Sequence, residues 1–255
     1  MSTVKTAVQD QFGAVAEHYR TSVVHARGID IDRIVARVRE YSNPEVLDVG
    51  CGAGHVTAAV APWSRSVIAS DFTPAMLEQV HVLARERNLT NIETREADVE
   101  QLPFADQRFD LVLSRLSAHH WPHPLNGIRE CLRVLKPGGL LLISDIIAPE
   151  EPALDTFLQV IEYLRDPSHV RDYRISEWLD MFSQAGLSAY VDLTLDVPLD
   201  FGAWVTRMAT PAAQVTLLRQ FLSSAPSEAR QKFAIAEDAH FTIQGALFAA
   251  TRLPD

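Results

Sequence analysis

Cysteine is almost absent from this chain: its 255 residues hold two, Cys51 and Cys131. Two lone thiols with no C-x-x-C pair exclude a disulfide framework and a thiolate metal cage, and they suit a reducing compartment, so a cytoplasmic location is expected. Positive charge is also short, with 23 Lys plus Arg against 33 Asp plus Glu and a formal net charge of −10. Such a chain lacks the basic footprint that nucleic-acid backbones and anionic membranes select, so neither is an expected partner. Long apolar runs are missing too. The longest purely aliphatic stretch, Leu140 to Ile143, is far too short to span a bilayer, and the opening MSTVKTAVQDQFG contains no apolar core of an export signal. There is no internal repeat or low-complexity tract. What the chain does have is 47% apolar residues, ample for the core of one domain spanning 1–255 that folds alone.

Apolar residues at Val8, Phe12, Val15, Ala16 and Tyr19, and again at Ile31, Ile34, Val35 and Val38, recur at helical spacing and predict an N-terminal helical cover over 1–42. From Val46 strands and helices alternate. A strand ends at Asp48 or Val49 and a helix runs over 54–61 to Pro62; the strand SVIAS then ends in Asp71, and Thr73-Pro74 supplies an N-cap and an N1 proline. Further strands are expected at 92–96, 109–114 and 140–144, with Lys136-Pro137-Gly138-Gly139 read as the turn before the last of these. Beyond Asp145 the expectation is a helix over 151–164, the polar loop RDPSHVRDYR, a helix from Ser176 to Gly186 and a strand near 189–195. A helical insertion over 198–237 and a final strand in 238–255 complete the chain. This order implies an α/β fold, doubly wound and Rossmann-like: a seven-stranded, mostly parallel sheet with helices on both faces, an antiparallel last pair, and a core over 43–197.

The stretch VLDVGCGAG gives up side chains where the first strand feeds its helix, the point at which open parallel sheets bind ligands. Glycine there permits positive φ and close contact with main chain, while the helix N-terminus offers free N–H groups and a positive dipole end to an anion. A nicotinamide fingerprint would need a third glycine where His55 stands. No Tyr-x-x-x-Lys dyad accompanies it, so an oxidoreductase is disfavoured.

VLDVGCGAG, SDFTPAML, ADVEQLPF, FDLVLSRLSAHHW and LRVLKPGGLLLISD, covering residues 45–146, resemble in order and spacing the motifs of class I S-adenosylmethionine-dependent methyltransferases. Within that family the chain resembles the small-molecule branch that includes ubiquinone/menaquinone C-methyltransferases and malonyl-carrier-protein O-methyltransferases, and it looks closest to bacterial members of unassigned substrate. The resemblance implies S-adenosyl-L-methionine as cofactor and S-adenosyl-L-homocysteine as product. It also implies that Asp48, Gly50, Gly52 and Gly54 hold the methionine end, Asp71 the ribose, Phe72 and Met76 an adenine face, and Asp98 with the Val99 backbone the adenine edge, with Arg115 reaching the methionine portion. Asp71 and Asp98 as plain caps and Met76 as ordinary core are the competing readings.

Methyl transfer needs alignment and a dry pocket, and a base where the acceptor atom carries a proton. His119 and His120 in SAHHWPH are the candidate bases, with a structural role as the alternative. His123 belongs to the same cluster, but Pro122 breaks the helix an i, i+4 ligand pair would require, so no metal is expected. His25, Tyr19, Trp121, His169, Arg171 and Tyr173 are candidates for the acceptor site; for the last three a solvated loop is the favoured reading. Phe12, Phe201 and Trp204 are further candidates to line the pocket, and the helical cover and insertion are expected to act as its lid. The expected function is methyl transfer to an O, N or C nucleophile of a small metabolite. A catalytically inactive cofactor-binding sensor or partner subunit is the alternative, and a homodimer is left open.

Overall fold

Strands buried on both faces alternate their side chains between two cores, and that alternation organises the molecule. The computed structural model describes residues 4–21 and 26–252. Successive positions split cleanly along β1 (Glu45–Val49), β4 (Phe109–Arg115), β5 (Leu135–Ala148) and β8 (Phe241–Thr251). Leu47, Val112, Leu141 and Phe248 enter one cluster, and Val46, Leu111, Leu142 and Leu247 enter the other. The first face is covered by α5 (Pro124–Val134) and α7 (Ile175–Gln184) through Ile128, Cys131, Trp178 and Phe182. The second is covered by α2 (Ile29–Val38) and α3 (His55–Val60) through Ile34, Val38, Val56 and Val60.

The sheet runs β3-β2-β1-β4-β5-β8-β7, with β2 at Ser66–Asp71, β3 at Ile92–Glu96 and β7 at Ser188–Leu199. Strands β3 to β5 are parallel, whereas β8 pairs antiparallel with both β5 and β7. The seven-stranded path agrees with the expected α/β architecture. A two-residue β6 (Tyr173–Arg174) adds an eighth strand beside the end of β5. The first strand lies between the second on one side and the fourth on the other, so its C-terminal end is the switch point of the fold.

Thr73 is extended and caps α4 (Pro74–Glu86), with proline in the first turn. Three expectations are overturned. Lys136 to Gly139 belongs to β5 itself: the Gly138 N–H donates to the Arg252 carbonyl at 2.8 Å and the Arg252 N–H to Gly139 at 3.0 Å, so the turn residues carry the ladder on. Strand β7 continues to Leu199, past the expected 189–195, because its antiparallel partner continues to Phe241. The polar segment 166–172 is not a solvated loop; Asp166, Ser168, His169 and Asp172 are all buried against α6 (Pro152–Arg165) and its surroundings.

The insertion forms α8 (Phe201–Arg207), α9 (Ala212–Ser223) and α10 (Ser227–Lys232). They share a third core with α6 that is built on Phe157, Ile161, Trp204, Leu218 and Phe233. At the other side of the strand ends, α1 (Val4–Arg20) packs on α4. It is fixed by Lys5 to Asp98 at 2.5 Å, by Gln9 to the Phe72 carbonyl at 2.6 Å and by Gln11 to the Met208 carbonyl at 2.8 Å. Among the described residues no helix is long and apolar enough to cross a membrane.

Candidate functional site

The C-terminal ends of β1, β2 and β4 and the underside of α1 flank a cleft that opens to solvent. Its floor is the glycine turn. Gly50 has φ 62°, and a Cβ there would overlap the Ser117 hydroxyl, so only glycine fits. Gly52 has φ 51° and differs in kind: an added Cβ would meet nothing within 4 Å, so it presents bare backbone to open space. Asp71, at the end of β2, accepts the N–H groups of Gly52 (3.0 Å) and Thr73 (2.8 Å). Those two bonds aim the carboxylate and leave lone pairs for further donors. Burial raises its pKa, and the two amides oppose that.

Phe72, Met76, Asp98, Val99 and Arg115 also line this cleft, as do Tyr19, His120 and Trp121. The Asp98 carboxylate is bridged by Lys5, and its other oxygen accepts the Glu100 N–H at 3.0 Å. Arg115 is gripped by Asp30 through Nε at 2.5 Å and Nη2 at 3.2 Å, and Asp30 also accepts the Ser144 hydroxyl at 2.9 Å. Sequence reasoning missed Asp30; the available signal was a carboxylate four residues before Ile34, on the apolar face of α2.

Two expected residues stand off the cleft wall. Asp48 is buried and accepts the Thr57 hydroxyl at 2.6 Å, which ties β1 to α3; burial lifts its pKa to about 7 although Thr57 pulls the other way. Gly54, with φ 87°, packs against Val80 of α4 and opens α3.

A second chamber, also open to solvent, adjoins the first, and the two share Phe12, Tyr19, Leu116 and His120. Leu116 holds φ 50°, a left-handed corner just after β4 that is rare for a branched residue. His119 faces this chamber. Its Nδ1 lies 2.6 Å from Asp145, and the backbone N–H groups of His119 and Ile146 hold the same carboxylate at 3.1 and 2.8 Å. Burial alone would lower the His119 pKa, but the Asp145 charge and hydrogen bond raise it to about 9. His120 is the opposite. Its Nδ1 donates to the Ser168 carbonyl at 3.2 Å, and burial with the neighbouring His119 charge lowers its pKa to about 4. Adjacent histidines thus take different protonation states from their surroundings.

The remaining acceptor-site candidates divide. Tyr19 lines both chambers. His169 is buried behind them, bonded to Gln159 at 3.2 Å with its ring 5.6 Å from that of His119. Arg171 is drawn away to Asp155 at 2.6 Å, and Tyr173 packs its ring on Trp178; neither lines a chamber. His25 lies outside the described residues. Sequence reasoning missed Glu162, Arg165, Asp172 and Arg207, which all face the second chamber. Glu162 and Arg165 share the apolar stripe of α6 with Leu158 and Ile161, and charges on a buried stripe were the available signal.

Residues 47–143 match the family model described as a methyltransferase domain. The chain is 44% identical over 193 residues to the uncharacterized protein YafE of Escherichia coli (strain K12), covering 76% of this chain and 93% of that one. It is 38% identical over 225 residues to the uncharacterized methyltransferase YcgJ of Bacillus subtilis (strain 168), covering 88% of each. The crystal structure of YcgJ superposes with a TM-score of 0.84 at 32% identity, over 89% of this chain and 99% of that one. A demethylmenaquinone methyltransferase of Chlorobaculum parvum shares 32% identity over 161 residues, 59% of this chain and 64% of its own.

Proposed function

The chain belongs to the class I S-adenosylmethionine-dependent methyltransferases, and from that membership we propose that it moves a methyl group onto a nucleophilic atom of a small metabolite seated in the second chamber. The observation that carries this reading is the pairing of the chambers: a cleft floored by bare backbone and strand-end acids opens, across Phe12, Tyr19, Leu116 and His120, onto a chamber holding a buried histidine–carboxylate pair.

The residues present fit the cofactor. Gly52 offers an uncovered backbone cradle, Asp71 is a pre-aimed acceptor for ribose hydroxyls, Phe72 and Met76 are apolar flanks for a base, and Asp98 with the Val99 backbone stands at its edge. When bound, the cofactor supplies a methyl group on a sulfonium, which leaves to the acceptor while its bonding electrons stay on sulfur. The protein's part is to align, dry and deprotonate. Walls contributed by α1 and the insertion hold the acceptor and exclude water, and such alignment is worth roughly 7–11 kcal/mol of barrier. In the fraction of molecules where His119 is uncharged, its Nε2 takes the acceptor's proton, and Asp145 stabilises the imidazolium that forms. His120, held neutral, keeps its ring edge-on to Phe12 at 4.8 Å and walls both chambers. Two free thiols and an acidic surface support a small-molecule role in a reducing compartment such as the cytoplasm.

The test has two stages. Calorimetric titration with S-adenosylhomocysteine measures the cleft. Cofactor tritiated on the methyl group, incubated with protein and a metabolite extract, then measures transfer into an extractable product. Tight binding without incorporation would favour a sensor, and no binding would remove the reading.

A further inference from the structure

The strand ends stand in the order β3, β2, β1, β4, so the polar groups of the cleft form a line: Asp98 after β3, Asp71 at the end of β2, Gly50 and Gly52 after β1, then Arg115 and Ser117 at and after the end of β4. On the proposed fit the base sits at the Asp98 end and the sugar at Asp71, which leaves the far end for the amino-acid tail. Ser117 lines the cleft there. Its hydroxyl lies over the bare Cα of Gly50, within 1.9 Å of where a Cβ would stand. The residue occupies the N-cap position of the short turn Ala118–His120, a usual place for serine, but its side chain makes no capping bond. It receives a bond instead: the Trp121 indole N–H donates to the Ser117 Oγ at 3.2 Å. The indole is buried and packs on Gly127 of α5, where an added Cβ would come within 2.8 Å of the ring, so its N–H is held in this direction. An indole only donates, so Oγ gives it a lone pair and keeps its own proton. Among the described residues that proton has no acceptor. Two residues earlier, Arg115 lines the same cleft and is held by Asp30 through Nε at 2.5 Å and Nη2 at 3.2 Å. Both donors are thus aimed by internal partners.

We infer that Ser117 binds the cofactor, donating its hydroxyl proton to the carboxylate of the amino-acid tail beside Arg115, with Trp121 as the positioning residue that turns the hydroxyl toward it. This rests on the methyl-transfer reading and adds a binding residue to it. The carboxylate is the tail group that can take both donors, since it accepts from a guanidinium and a hydroxyl at once, whereas the tail's ammonium only donates. The Ser117 carbonyl meanwhile accepts the His120 N–H at 3.0 Å. The residue that grips the tail therefore also carries the turn that sends His119 and His120 to the acceptor chamber.

The test is calorimetry on the full chain with three nucleosides: S-adenosylhomocysteine, its decarboxylated counterpart S-adenosyl-3-thiopropylamine, and 5′-methylthioadenosine, which lacks the tail. Ser117→Ala should weaken S-adenosylhomocysteine about tenfold and leave the other two within about twofold. Trp121→Phe keeps a ring and removes the N–H; it should weaken S-adenosylhomocysteine about threefold, again with the other two unchanged. A purely structural role for either side chain would move all three nucleosides together or none of them. Should the variants misfold, the wild-type Trp121 indole ¹H–¹⁵N resonance gives the answer, since it should shift further with S-adenosylhomocysteine than with S-adenosyl-3-thiopropylamine. Unchanged affinity in Ser117→Ala, an equal loss for all three nucleosides, a loss shared by the decarboxylated compound, or an indole resonance that moves alike with both would each overturn the inference. If the wild type binds none of the three, the methyl-transfer reading fails and takes the inference with it; if it binds them and the pattern is absent, the inference alone fails.

Discussion

Replacing Asp145 by Asn removes a charge while keeping a hydrogen-bond acceptor 2.6 Å from His119 Nδ1. The His119 pKa stands at about 9 against an ordinary 6.5, a difference of about 3 kcal/mol between the protonation states. Because the folded-state value is raised, this stabilisation is fully present below pH 6.5 and disappears as pH climbs through about 9. Seen from the Asp145 side, whose pKa is lowered although burial pushes it up, it is the same interaction and is not added twice. In Asp145→Asn the two largest upward influences on His119 are gone and burial is opposed only by the Asp172 and Glu162 charges, so the imidazole should titrate well below 9 and most of the stability loss across that window should vanish. Urea unfolding at pH 6 to 10 should therefore show the wild type's advantage falling by about 3 kcal/mol over the range. Buried groups shared by both proteins, such as Asp48, cancel in the difference. NMR titration of the His119 ring locates the group directly. Parallel stability curves for the two proteins, or a wild-type ring titrating at or below 6.5, would refute the reasoning.

Asp71→Ala should weaken S-adenosylhomocysteine roughly 10- to 100-fold in calorimetry, the loss expected for charge-assisted bonds to two hydroxyls; unchanged affinity would give the carboxylate a purely local role in the glycine turn. Gly50→Ala and Gly52→Ala should separate fold from site. The first, whose methyl is driven into the Ser117 hydroxyl, should lose about 2 kcal/mol or more of stability in thermal melts. The second should lose about 1 kcal/mol yet bind the nucleoside far more weakly, because its methyl fills the cradle. With an acceptor in hand, kcat/KM should rise with pH up to about 9, and Asp145→Asn should move that limb to lower pH; a profile flat from 6 to 9 would remove His119 as the base.

Much of the fold was legible because its signals are local. The Val46–Val49 and Leu140–Ile143 runs, the Thr73-Pro74 cap and the glycine turn each dictate backbone over a few residues. That Gly50, Gly52, Asp71 and Asp98 would meet in one cleft was legible for the same reason, since they sit at strand ends where the topology gathers them. The second chamber was not. Arg207 lies on α8, and Arg165 and Glu162 on one face of α6, and the three meet only when the insertion folds over β5 and β8. Segment 166–172 looked solvated because its polar groups bond one another and α6: Asp166 caps Ser168, and Gln159 takes the Asp172 N–H. Nothing in the dipeptide His119-His120 distinguishes its members; the partners Asp145 and Ser168, 26 and 48 residues away, do.

Helix α1 supplies Phe12 and Tyr19 to both chambers and is pinned at Asp98, Phe72 and Met208. If the proposed reading holds, cofactor and acceptor are bounded by the same helix, so displacing α1 should loosen both at once, and release past it should be slower than the methyl displacement itself.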